Sequence, residues 1–154
     1  MKLEITKLPY LKNSKALLNH LDSKGGLVAL ESSLPDHENG RWSIISAEPA
    51  ESITVFGEGN NQALVDRLIA LHQKIPNCDN DLPFAGGIIG HASYDLGMTK
   101  TTPSPSSGLS ASPTLIAGLY TWAFLIDHTS KNTLLIYISK LSTTPKDILI
   151  ALFN

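Results

Sequence analysis

With 154 residues, 42% hydrophobic and 17% charged, the chain has the composition of a folded globular domain, which excludes intrinsic disorder. Twelve Lys plus Arg are scattered against fourteen Asp plus Glu, a net charge of −2, so no basic stripe marks a nucleic-acid surface. No apolar run reaches bilayer-spanning length and MKLEITKLPYLKNS lacks the apolar core of a signal peptide, so the expectation is a cytoplasmic protein with no membrane or nucleic-acid partner.

Leu3, Ile5 and Leu8 alternate loosely with polar residues, which predicts a first strand ended by Pro9. A short helix follows, with Ser14 as N-cap, Leu17, Leu18 and Leu21 as its apolar face and Gly25-Gly26 as the stop. Next, Leu27–Leu30 and Trp42–Ala47 flank the polar loop Ser33–Gly40 and read as a hairpin closed by Glu48-Pro49. That hairpin brings Glu31, Ser32, Arg41 and Trp42 to one end of a sheet. A third strand is expected at Ser52–Phe56, with Ile53 and Val55 on one face. Leu64, Leu68, Leu71 and Ile75 recur at helical spacing between a cap at Asn60 or Asn61 and the stop at Pro76.

Phe84–Leu96 reads as a strand with Gly86, Gly87 and Gly90 in its interior. Thr99–Pro113 holds three prolines among serines and threonines, which predicts a long exposed loop inside a single domain. Thr114–Ile126 and Thr133–Ile138 then form a second hairpin, the first run being apolar enough to need cover on both faces. Thr143 or Thr144 as N-cap and Pro145 at the first helical position begin a last helix. The sequence stops within its apolar pattern, which reads as a segment of a longer chain.

Few residues suit catalysis. Gly86-Gly87-Ile88-Ile89-Gly90 lacks the Gly-Lys-Ser/Thr ending of a phosphate loop and instead suits close backbone approach. Ser32 or Ser33 with Asp36 and His37 has the residue types of a hydrolytic triad but crowds them onto one loop, and Asp36, His37 and Glu38 read as a solvated turn rather than a metal site. Cys78 is an incidental thiol. Glu31, at the end of an apolar run, either reaches solvent, pairs with a cation such as Arg41, or receives a ligand ammonium group, with Ser32 beside it. Trp42 either packs in the core or faces a ligand, and Tyr94-Asp95 is either a half-buried tyrosine beside a turn-capping aspartate or part of a site.

Several ordered segments carry a family resemblance. They are Ala29-Leu30-Glu31-Ser32, Gly40-Arg41-Trp42-Ser43-Ile44-Ile45, Ala47-Glu48-Pro49, Gly86-Gly87-Ile88-Ile89-Gly90, Tyr94-Asp95-Leu96-Gly97, and Gly118-Leu119-Tyr120-Thr121-Trp122-Ala123 with Asp127-His128. Together they resemble the N-terminal region of component I of the chorismate-using aminating enzymes, and within that group the aminodeoxychorismate synthase component I family of para-aminobenzoate and folate synthesis. The Leu30–Ser32 segment is also a hallmark of anthranilate synthase component I, whose N-terminal regulatory domain is the alternative, beside a stand-alone amino-acid-binding module. The resemblance implies an α+β fold of layered antiparallel sheets with helices outside. It implies that chorismate and magnesium bind a C-terminal domain beyond these residues, and that a glutamine amidotransferase subunit supplies ammonia. Accordingly no residue here is catalytic, none holds a metal, and the chain alone is expected to be inactive. What the resemblance assigns to this region is a tryptophan pocket at Glu31, Ser32, Asn39, Gly40 and Trp42.

Overall fold

The first strand finds its partner near the other end of the chain. In the computed structural model, which describes residues 2–32, 40–56, 61–76, 81–97 and 112–153, β1 (Leu3–Leu8) pairs antiparallel with β8 (Asn132–Ile138), Leu3 opposite Ile138 and Leu8 opposite Thr133. β8 turns back on β7 (Trp122–Asp127), which pairs with β3 (Trp42–Ser46), and β3 with β2 (Val28–Leu30), giving a five-stranded sheet in the order β1-β8-β7-β3-β2. A second sheet has the order β4-β6-β5, from Glu51–Phe56, Pro113–Tyr120 and Gly87–Ala92. All pairings are antiparallel, and with the helices α1 (Lys15–Leu21), α2 (Asn61–His72) and α3 (Lys146–Ala151) the fold is α+β, as expected.

Alternation along β7 divides its side chains between two cores. Trp122, Phe124 and Ile126 face α1 and α3, packing with Leu17, Leu21, Ile45, Leu135 and Leu149. Ala123 and Leu125 face the other way with Ile136, where Trp42, Ile44, Leu82 and Phe84 pack beside them. Every residue of β7 is buried, which is why its sequence shows no period of two. The smaller sheet buries Ile53, Leu115, Ala117 and Leu119 under Leu64 and Leu71 of α2.

Several local expectations need correction. Thr114–Ile126 is not one strand: it is β6 and β7, passing from one sheet to the other through Thr121, whose carbonyl accepts from the Ile138 amide at 2.9 Å. Cover on both faces holds for β7 but not for β6, since Ile116 is 49% exposed. The glycine-rich strand is shorter than Phe84–Leu96 and ends at Ala92; Tyr94–Gly97 is a 3₁₀ turn, and Tyr94 is 90% exposed rather than half-buried. Ser14 stands at the N-cap of α1 without capping it, because its hydroxyl is drawn away to Glu31. Pro145 precedes α3 with extended ψ instead of occupying its first turn, and Thr144 hydrogen-bonds Glu48 rather than the helix. Cys78, residues 36–38 and almost all of the serine-rich loop lie outside the described residues, while Pro113 opens β6, a place where its missing N–H is tolerated.

The residues before β2 and after β3 fix the open end of the β2–β3 hairpin. Gly25 and Gly26 both have positive φ (72° and 60°), and a side chain on Gly26 would lie 2.5 Å from the Pro49 ring. The Tyr120 hydroxyl donates to the Gly26 carbonyl at 2.8 Å. At the same end the Glu48 amide donates to Gly25 O at 3.0 Å, while its carboxylate takes a hydrogen bond from Thr144 and pairs with Lys24 at 3.5 Å. One residue thus ties the exit of β3 to the end of α1 and the approach to α3.

Candidate functional site

The β2–β3 hairpin meets the β7–β8 turn at the edge of the larger sheet, and the polar groups there fall into two sets on opposite faces. On the first strand of contact, His128 N donates to Arg41 O at 2.8 Å, which continues the β3–β7 ladder one step beyond Trp42 and Asp127. The Arg41 guanidinium grips the Asp127 carboxylate with two nitrogens, Nη2 to Oδ2 at 2.7 Å and Nε to Oδ2 and Oδ1 at 3.1 and 3.2 Å. Asp127, only 2% exposed, also accepts from the Thr129 and Ser130 amides at 3.0 and 3.1 Å. The hydrogen bonds from Arg41 hold this carboxyl well below the usual aspartate range; burial opposes them and the Ser130 and Thr129 amides add to them. The same hydrogen bond raises the Arg41 guanidinium. Its carbon lies 4.8 Å from the centroid of the Trp42 ring, so one face of that indole is already capped by a fixed cation.

On the helix side, Ser14 Oγ donates to Glu31 Oε1 at 2.5 Å beside a cavity of about 390 Å³. Leu11, Lys12, Asn13, Ile126 and His128 also line it. His128 is held at both nitrogens, Nδ1 by Tyr10 Oη at 3.0 Å and Nε2 by Ser43 Oγ at 2.8 Å. Lys131 lies 5.2 Å over the Tyr10 ring. Ser43 and His128 thus have the spacing of a nucleophile and its base, yet Ser43 is 2% exposed and does not reach the cavity, so no substrate meets it. Among the described residues no group of three or more His, Cys, Asp or Glu could hold a metal ion.

Glu31 and Trp42 are therefore brought to the same strand end but not to the same pocket. Glu31 is exposed and turns toward Ser14, whereas Trp42 is half-buried and packs on the opposite face with Ile44 and Leu125. Of the three alternatives for Glu31, the pairing with Arg41 does not form and the carboxylate is exposed: Glu31 and Arg41 each take a partner distant in sequence, Ser14 and Asp127. Gly40 is buried next to Arg41, Ser32 is half-buried beside Glu31, and Asn39 lies outside the described residues. Reading by residue type missed Ser14, Asp127 and His128 as neighbours of this site. The only signal was the Asp127-His128 pair at the mouth of a turn, where an aspartate that accepts the next amides is ordinary turn chemistry.

A second, more apolar cavity of about 510 Å³ lies between Leu27–Leu30 and the outer face of the small sheet, floored by Gly90 and Gly118. Among the described residues no helix is long and apolar enough to cross a membrane.

No family model matches the chain. Three curated relatives do, each named aminodeoxychorismate synthase component 1: that of Escherichia coli strain K12 is 32% identical over 116 residues, 66% of this chain and 26% of the relative. The protein of Klebsiella aerogenes is 29% identical over 123 residues (70% of this chain, 27% of the relative), and that of Salmonella typhimurium 30% over 128 (73% and 28%). The chain thus spans about a quarter of the length of the curated relatives it matches. This kinship and the order of the shared segments identify the chain as an N-terminal region of the aminodeoxychorismate synthase component 1 family.

Proposed function

We propose that the chain is the N-terminal lobe of a cytoplasmic aminodeoxychorismate synthase component 1, an enzyme that aminates chorismate with ammonia delivered by a glutamine amidotransferase subunit. The observation that carries this reading is the kinship over 66–73% of the chain to relatives of that name. In this proposal the lobe scaffolds the chorismate- and magnesium-binding part, which belongs to sequence the chain does not span, and supplies no catalytic group. The sparse polar chemistry agrees with that role: the Arg41–Asp127 pair beside the hairpin is closed on itself by three hydrogen bonds. The test is turnover. The 154-residue chain given chorismate, magnesium and ammonium should form no aminodeoxychorismate, and joining it to the remaining part of a relative should restore formation. Product from the chain alone would overturn the reading.

The same lobe is proposed to hold tryptophan at the hairpin end, with Trp42 as aromatic wall and Ser32, Asn39 and Gly40 around the polar end. The half-buried Trp42 ring at the hairpin end supports this. Glu31, the remaining residue of the expected pocket, supports the strand end from the helix side. Saturating tryptophan should raise the melting temperature by linkage, about 2.7 kcal/mol at a hundredfold excess over Kd, and Trp42→Ala should abolish the rise. A stand-alone binding module would show the same shift without any restoration of turnover.

A further inference from the structure

We infer that the groove between β2 and the outer face of the smaller sheet is a docking surface for the part of component 1 that this chain does not span: an extended, uncharged apolar segment of it adds to the free edge of β2 and covers Ile116. This rests on the reading of the chain as a scaffolding lobe and names the surface with which it scaffolds. The strand order leaves β2 at the edge of the larger sheet, with β3 on one side and no described backbone partner on the other. The cavity of about 510 Å³ borders that edge. β4 lends it only alternate residues, Ser52 and Thr54, as the face of a sheet does; β2 lends Val28, Ala29 and Leu30 without a gap, as a strand edge does. Unpaired backbone groups beside an apolar wall suit an added strand, because its main chain completes the ladder while alternate side chains fill the groove.

The lining sets the chemistry of the occupant. Leu30 and Ile116 both border the groove and are 50% and 49% exposed, so two large aliphatic side chains stand ready to be covered. No Lys, Arg, Asp or Glu lines it, which leaves nothing to pair with a phosphate or a charged peptide. The Tyr120 hydroxyl is already given to the Gly26 carbonyl. The other sheet faces have cover from the chain itself: α2 lies on the smaller sheet, α1 and α3 on one face of the larger, and Leu82 and Phe84 on the other. The relatives match this chain over only 26–28% of their own length, so most of component 1 lies outside it and needs a surface to rest on. A second copy fits less well, because its edge strand β1 would bring Glu4 and Lys7 to an uncharged groove. Val65 and Ile69 on α2 are as exposed as Ile116 but lie on a helix, whose backbone offers no free edge, and so serve as the contrast.

Thiol labelling tests this in two proteins, the 154-residue chain and the same chain joined to the remaining part of a relative. Ile116→Cys places the probe in the groove and Val65→Cys places a control on α2, each read peptide by peptide by mass spectrometry. Both positions are half-exposed in the chain alone, so both variants keep the fold and label readily there. Joining should slow labelling at position 116 at least about tenfold and leave position 65 unchanged. Amide exchange at Val28–Leu30 should slow in the same comparison, as a new ladder forms on the β2 edge. A joined chain that labels at 116 as fast as the chain alone overturns the proposal. Equal slowing at 65 and 116 overturns it as well, since the cover would then be general. Protection at 116 in the chain alone, growing with its concentration, would assign the groove to a second copy instead. Labelling is read whether or not joining restores aminodeoxychorismate formation, so the docking surface and the reading of function fail separately.

Discussion

The two sheets are finished to different degrees. The five-stranded sheet is sealed under α1 and α3, and several of its polar groups are tied in: Ser46 Oγ donates to Trp122 O at 2.6 Å, Leu11 N to Thr133 Oγ1 at 3.1 Å, and Tyr137 Oη to Thr144 O at 3.1 Å. The three-stranded sheet has one covered face under α2, while its Phe56 and Ile116 stay about half-exposed, as do Val65 and Ile69 on α2 itself. Hydrophobic stabilisation follows buried apolar area, so the larger sheet carries most of the stability and the smaller one has apolar surface to spare. Difference in burial, rather than in secondary structure, is what separates them.

The largest test of that contrast is Trp122→Ala. The ring is fully buried and meets Phe124 edge-on at 5.8 Å, with Phe153 stacked beyond it at 5.7 Å. Its removal should cost about 3–5 kcal/mol in denaturant unfolding. Asp127→Ala should cost about 2–3 kcal/mol, less than a fully buried pair because Arg41 is half-exposed and can rehydrate. The pair also sets an acid limit. The Asp127 carboxyl titrates lower folded than unfolded, so its stabilisation is complete above the ordinary aspartate range near 3.8 and falls away as pH drops below it. Wild type should lose stability faster than Asp127→Ala on acidification, and parallel curves would remove the pair from the account.

On the small sheet, Gly90→Ala should cost about 1–2 kcal/mol through overpacking, since the new methyl would lie 2.5 Å from Ile116 O. Amide exchange sharpens the same point: β4, β5 and β6 should exchange through cheaper openings than β7 and β8, and equal protection would erase the distinction between the sheets. Smallest of all, Ile116→Thr should change stability by no more than about 0.5 kcal/mol. A loss well above that would mean the outer face of β6 is covered after all.

Most elements were legible because their signals are local. Both hairpins and α2 follow from runs of apolar residues at strand or helix spacing, and the structure places them at Val28–Ser46, Trp122–Ile138 and Asn61–His72. What stayed hidden depends on distance or on a missing period. Thr114–Ile126 is apolar throughout, so nothing announced that the chain leaves one sheet and enters another at Thr121. The place of β1 beside β8 has no sequence signature at all. At the candidate site the hairpin was legible, but the partners that orient Glu31 and Arg41, namely Ser14 and Asp127, arrive from separate elements. Strand alternation then carried Glu31 and Trp42 to different faces.

The pairing of β1 with β8 also governs the order of assembly during synthesis. Leu3–Leu8 leaves the ribosome well before Asn132–Ile138, the strand that hydrogen-bonds to it. Until then the nascent chain holds an unpaired edge, and α1 lacks the β7–β8 surface that buries Leu17 and Leu21. The larger sheet therefore closes late, in a slow step dominated by loop-closure entropy. Truncation before Asn132 should therefore lower solubility, as measured by the soluble fraction on expression.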